Sequence, residues 1–238
     1  IENVNFVAER ELQTSIDAIK STFVHNVTVD NCTFTGKDKK QYGMILRNSY
    51  NISVMNTKAE NVLELVYGNR QSNNLIVENV EVNNSVRVAW LSYPDGAIFD
   101  RVKAKDVEEG VFLYNNSAAA TTFSNCEFLA SQTAIILEAK TTNSYRLTLK
   151  GENTFTGADE WMEVIGTNAN FKVVKEDAKL DMTKTSGLVA FEGNNYYNTL
   201  AYAVKDASAN VTVLKAHEIT KTAVVEKDMT IDFADLAI

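Results

Sequence analysis

Val27-Thr-Val-Asp-Asn-Cys-Thr-Phe34 sets apolar residues at the first, third, sixth and eighth places of an octet, with asparagine fifth. The phrase recurs as Ile52-Ser-Val-Met-Asn-Thr-Lys-Ala59, Leu75-Ile-Val-Glu-Asn-Val-Glu-Val82, Ala97-Ile-Phe-Asp-Arg-Val-Lys-Ala104 and Thr121-Thr-Phe-Ser-Asn-Cys-Glu-Phe128. Looser copies end at Phe6, Phe155 and Leu180. From Phe6 to Leu180 the terminal apolar residues are 28, 25, 23, 22, 24, 27 and 25 apart. Self-similarity at that period is the mark of a stacked repeat architecture.

Within the octet the apolar period is two, so the pieces are strands. Val27 and Val29 face one way; parity then breaks at Asp30-Asn31, and Cys32 and Phe34 face that way again. A two-residue break that keeps one inward face is a sharp bend. Asparagine suits it because it tolerates left-handed dihedrals. Stacking the copies sets Asn3, Asn31, Asn56, Asn79 and Asn125 in one column, able to hydrogen-bond from coil to coil, with Arg101 interrupting. The predicted interior includes Val29, Cys32, Phe34, Leu46, Leu65, Val80, Val82, Val88, Leu113, Cys126, Phe128 and Leu137.

A third strand follows each octet: Met44–Arg47, Leu63–Val66, Val86–Ala89, Val111–Tyr114, Ile135–Glu138 and Met162–Ile165. Alternation predicts Met44, Leu46, Leu63, Leu65, Val86, Val88, Val111 and Leu113 inside, and Arg47, Glu64, Arg87, Tyr114, Glu138 and Glu163 outside. Three short strands per coil with one tight asparagine bend describe an all-β, right-handed parallel β-helix. Residues 1–182 are similar in this respect to the pectate-lyase-like β-helix superfamily. Such a resemblance implies architecture, and the fold hosts lyases, hydrolases, phage tail proteins and non-catalytic bacterial surface proteins alike.

Residues 183–238 break the rhythm. Leu200, Ala203, Val204 and Ala207 recur at helical spacing, with Asn198 or Thr199 as N-cap. Val211-Thr-Val-Leu and Met229-Thr-Ile-Asp-Phe alternate as strands. The run resembles segments that open a β-helix in large bacterial surface proteins. It is expected either to cap the solenoid, the favoured reading, or to begin a further one.

The chain has 238 residues and a net charge of −8. That balance speaks against a nucleic-acid partner, which requires a basic face. No apolar run is long enough for membrane insertion. Two cysteines, Cys32 and Cys126, fall in separate coils about 19 Å apart by strand spacing, beyond disulfide reach. With two scattered histidines they predict neither metal nor cofactor.

Glu64 and Arg87 fall in one column of adjacent coils. If the chain were an enzyme, these would carry the chemistry of a polysaccharide lyase or glycoside hydrolase. Their simpler reading is an inter-coil ion pair on a solvated face. Asp95, Asp100 and Asp106 fall in loops or bends, so no stacked pair of aspartates provides a hydrolase's acid and base. Tyr67, Trp90, Tyr93, Phe112 and Tyr114 come at matching ends of successive third strands, and rings in a row are candidate contacts for a polysaccharide or cell-surface glycan. The sequence leans away from an enzyme. It predicts a monomeric, secreted or cell-surface structural and adhesive module, with a phage tail or spike module as a further alternative.

Overall fold

A computed structural model describes residues 1–238 except 12–14, 116–118, 167, 178, 217–220 and 235–238. It is a parallel β-solenoid of the right-handed kind with, among the described residues, a single short α-helix. The terminal apolar residues of the repeat form one continuous column. Phe6 pairs with Phe34, Phe34 with Ala59, Ala59 with Val82, Val82 with Ala104, Ala104 with Phe128, and Phe128 with Phe155. Coil-to-coil stacking brings like residues together: the Phe6 and Phe34 rings lie 4.8 Å apart, and Phe99 and Phe123 4.9 Å apart. All twelve of the interior residues named from the octet and third-strand patterns are buried.

The asparagine bend is one of four such corners. The expected column Asn3, Asn31, Asn56, Asn79 and Asn125, with Arg101 between the last two, has φ of 49° to 57° throughout. Asn31 Nδ2 donates to Asn3 Oδ1 at 2.5 Å and Asn79 Nδ2 to Asn56 Oδ1 at 2.7 Å. Arg101 keeps the ladder's function with a different group, pairing with Asp100 and with Glu78 of the preceding coil. At the next rung stands Gly151, with φ of 73°, where a Cβ would meet Asn125 Oδ1 at 2.4 Å.

The second corner column is Asn61, Asn84 and Asp106; the third is Phe23, Asn48, Arg70, Tyr93 and Asn115; the fourth is Asn26, Asn51 and Asn74. Amide ladders run through two of these as well: Asn84 to Asn61 at 2.6 Å, Asn51 to Asn26 at 3.0 Å, and Asn74 to Asn51 at 2.9 Å. A coil therefore turns mainly on single left-handed residues and has little room for long loops there.

The third strand is shifted from its expected register in two coils. Met44 pairs with Val66, Val66 with Ala89, and Ala89 with Val111. Leu63 and Val86 are half-buried at the preceding corner and do not enter the interior row. Two small residues hide the true row, since Gly68 pairs with Leu46 and Leu91, and Ala89 with Val111.

Parallel pairing reaches Met162 with Thr185. Asn195–Tyr197 then runs antiparallel to Asn170–Lys175 and to Ala190–Glu192. The helix Leu200–Asp206 takes Thr199 as N-cap, its side chain accepting from Tyr202 N–H. Asn198, the other candidate, instead accepts from Phe171 N–H at 2.7 Å. Val189, Ala190, Tyr197, Leu200, Ala203, Val204, Val211 and Val213 form a hydrophobic cluster separate from the solenoid core. The strands Asn210–Val213 and Thr230–Asp232 pair in parallel beyond it.

Candidate functional site

Outward residues of the third strand carry the chemistry-bearing groups, in columns set by the register. One column contains Tyr42, Glu64 and Arg87. Three residues further along lie Ile45, Tyr67, Trp90, Phe112, Ile136 and Glu163. Two beyond that come Arg47, Asn69, Ser92, Tyr114 and Glu138. The outward residues read from the sequence thus divide among three columns.

Glu64 and Arg87 meet as expected, but not on a solvated face. Arg87 Nη1 donates to Glu64 Oε1 at 2.9 Å, and Arg87 Nε donates to Glu109 of the next coil. The Glu64 side chain is only 4 % exposed. Burial pushes its carboxyl up to about 7, against the pull of Arg87. Its second oxygen, Oε2, is buried without a hydrogen-bond partner. The Arg87 guanidinium also lies over the Phe112 ring at 5.9 Å, which joins the charged cluster to the aromatic row. Sequence parity gives an outward direction; it carries no sign that neighbours will close over the residue.

The aromatic residues do assemble. Tyr42 and Tyr67 have ring centroids 5.1 Å apart, Tyr67 and Trp90 5.0 Å, and Trp90 and Phe112 5.8 Å. Trp90 also stacks on Tyr114 at 6.3 Å. Interplanar angles along Tyr67, Trp90 and Phe112 are 30° and 13°, so the rings lie face to face along the solenoid axis. Their faces are spent on one another and they offer mainly edges outward. Lys140 Nζ lies 5.7 Å from the Tyr114 ring centre. Tyr93 differs. Its ring stands at 83° to Tyr114 and the residue is 46 % exposed, at a corner with φ of 55°.

Cys32 and Cys126 are both free and buried, and burial pushes the Cys126 thiol up to about 12. His25 is exposed beside Asn26, while His217 lies outside the described residues. Among the described residues no three of His, Cys, Asp and Glu gather as a metal site, and no helix is long and apolar enough to cross a membrane.

Residues 1–155 match the family model for a right handed beta helix region. Neither a curated protein nor a solved structure matches the chain.

Proposed function

The chain belongs to the right handed beta helix family, and we propose that it is a non-catalytic structural and adhesive module of an extracellular or cell-surface bacterial protein. One observation carries the proposal: the outward side chains are committed to one another from coil to coil. Asparagine ladders run through three of the four corners, Tyr67, Trp90 and Phe112 stack on each other, and Arg87 bridges Glu64 and Glu109. Tight corners leave little wall for a cleft that would exclude water from a substrate. Such a surface suits a stiff monomeric spacer with at most weak glycan contact, centred on Tyr93 and the edges of Tyr67, Trp90 and Tyr114.

One feature favours a second function, that of a polysaccharide lyase or glycoside hydrolase. Glu64 combines a carboxyl raised to about 7 with an unpartnered oxygen beside an arginine, the properties of a general acid. Its burial argues against it, since substrate would have to displace Arg87 or Tyr67. A turnover screen on acidic and neutral polysaccharides, with and without calcium, separates the two. Turnover abolished by Glu64→Gln would establish the enzyme, and none across the panel is expected. Trimers in a solution-mass measurement would point to a phage spike module instead.

A further inference from the structure

Lys20, Ile45, Tyr67, Trp90, Phe112, Ile136 and Glu163 follow one another in a single outward column, each paired in parallel with the next. The order is a palindrome about Trp90. One rung away on either side stands an aromatic ring, two rungs away an isoleucine, and three rungs away a charge, positive at one end and negative at the other. At about 4.8 Å per rung the stripe is roughly 29 Å long.

An apolar stripe with opposite charges at its two ends is complementary to its own reverse. A twofold axis running along the strand direction through Trp90 turns a second copy so that its stripe lies antiparallel on the first. Tyr67 then faces Phe112 of the second copy, Ile45 faces Ile136, and Lys20 faces Glu163. The neighbouring column obeys the same axis: Arg47 and Glu138 stand two rungs to either side of Ser92, so Arg47 faces Glu138 of the second copy.

These charges are poorly satisfied within one chain. Among the described residues neither Glu163 nor Arg47 makes an ion pair, and Arg47 Nε is buried without a hydrogen-bond partner. Lys20 and Glu138 have only surface pairings, with Asp17 at 3.6 Å and Lys140 at 3.5 Å, of a kind that contributes little. The axis does oppose like charges in the column of Glu64 and Arg87. There, however, Arg87 already bridges two carboxylates of its own chain, and the column lies three residues, about 10 Å, from the stripe.

We propose that the chain pairs side by side and antiparallel with a second copy of itself along this stripe. The rings are stacked face to face and bring only their edges to the seam, so the association is weak, with a dissociation constant of roughly 100 µM to 1 mM. The dilute chain stays monomeric. A twofold contact closes on itself and does not propagate into fibres. The pairing does not rest on glycan contact: both use the ring edges, but Lys20 and Glu163 each lie three rungs from Trp90 and take no part in that contact.

Sedimentation equilibrium of the full chain, from about 5 µM to about 2 mM, tests the pairing. The mean mass should climb from monomer towards dimer and no further, and about 0.5 M salt should weaken the association several-fold. Lys20→Glu and Glu163→Lys should each weaken it about tenfold or more, since each sets like charges against each other at both ends of the seam. An equimolar mixture of the two variants should associate as the parent chain does, because the mixed pair has opposite charges at both ends. Lys58→Glu, in a column outside the stripe, should behave as the parent. A chain that stays monomeric at every concentration, a mass that rises to a trimer or beyond, or a mixture that associates no better than either variant alone would each overturn the proposal.

Discussion

Arg87 of one coil holds Glu64 of the preceding coil at 2.9 Å, and Glu64 is nevertheless held near neutral pH as a carboxyl, because burial outweighs the pairing. Only one of its oxygens is used; the other is buried without a partner. A buried ion pair in this state is weak evidence for stability and strong evidence for pH sensitivity.

The sign of that sensitivity follows from the raised value. Between about 4.5 and about 7 the folded chain retains a proton on Glu64 that the unfolded chain has lost. Its contribution to stability is therefore full below pH 4.5 and disappears as pH rises through 7. The change amounts to something on the order of 3 kcal/mol. Urea denaturation at pH 5 and pH 8 should show the parent chain losing stability at the higher pH, and Glu64→Gln should flatten the difference. An unchanged difference in Glu64→Gln would mean that another group is responsible.

At the asparagine corner, Asn79 has φ of 51° and donates to Asn56 at 2.7 Å. Asn79→Ala loses the hydrogen bond and places an alanine in the left-handed region, for a combined cost of about 2 kcal/mol. Asn79→Gly loses only the bond, since glycine adopts that dihedral freely, and should cost about 1 kcal/mol. Chemical denaturation of both variants checks the order; a glycine variant as unstable as the alanine one would refute the dihedral contribution.

Phe128 is fully buried, with its ring 5.3 Å from Phe155 and 5.9 Å from Phe123. Phe128→Ala should cost about 3–5 kcal/mol as a buried aromatic truncation. A change under 1 kcal/mol would show that the solenoid collapses onto the gap or that this register is wrong.

Much of this was legible in the sequence, for a physical reason. The column from Phe6 to Phe155 was readable because alternation on both sides of one bend makes the parity break visible. The other three corners were not. One of them holds Phe23, Asn48, Arg70, Tyr93 and Asn115, which share a dihedral while only two of the five share a side chain. In the third strand Leu63 and Leu65 alternate as convincingly as the true row, whereas Gly68 and Ala89 are too small to announce that they face inward. Consecutive Leu65 and Val66 are both buried, which no period-two pattern predicts. The meeting of Glu64 with Arg87 and the gathering of the rings followed from the repeat length alone. Their burial and ring orientation did not, because both depend on neighbours from other coils.

Cys32 and Cys126 should stay reduced and silent. Burial raises the Cys126 thiol to about 12, so almost none is thiolate at neutral pH. A thiol reagent should label neither cysteine in the folded chain and both after denaturation without reductant. Loss of label in the denatured chain would demonstrate a disulfide.

Trp90 and Tyr93 separate the structural and glycan-contacting roles of the aromatic row. The sequence suggests that Trp90→Ala removes glycan contact without affecting the fold, as an exposed ring would. The structure sets Trp90 half-buried between Tyr67 and Phe112, so its loss breaks a continuous stack. Aromatic pairs of this kind contribute about 0.5–1.5 kcal/mol each, and Trp90→Ala should cost about 1–3 kcal/mol. Tyr93 lies outside the stack at a left-handed corner whose column also holds Asn115 on the next rung and Asn48 two rungs before. Tyr93→Asn supplies a residue suited to that dihedral and should leave stability equal or higher. A weak glycan contact on an exposed ring, with dissociation constants in roughly the high-micromolar to millimolar range, would then vanish in Tyr93→Asn while the fold remains. Binding measured on a broad glycan array, alongside denaturation of both variants, distinguishes the cases. Glycan binding that survives Tyr93→Asn would reject Tyr93 as the contact, and no binding by the parent chain would leave the row a structural ladder.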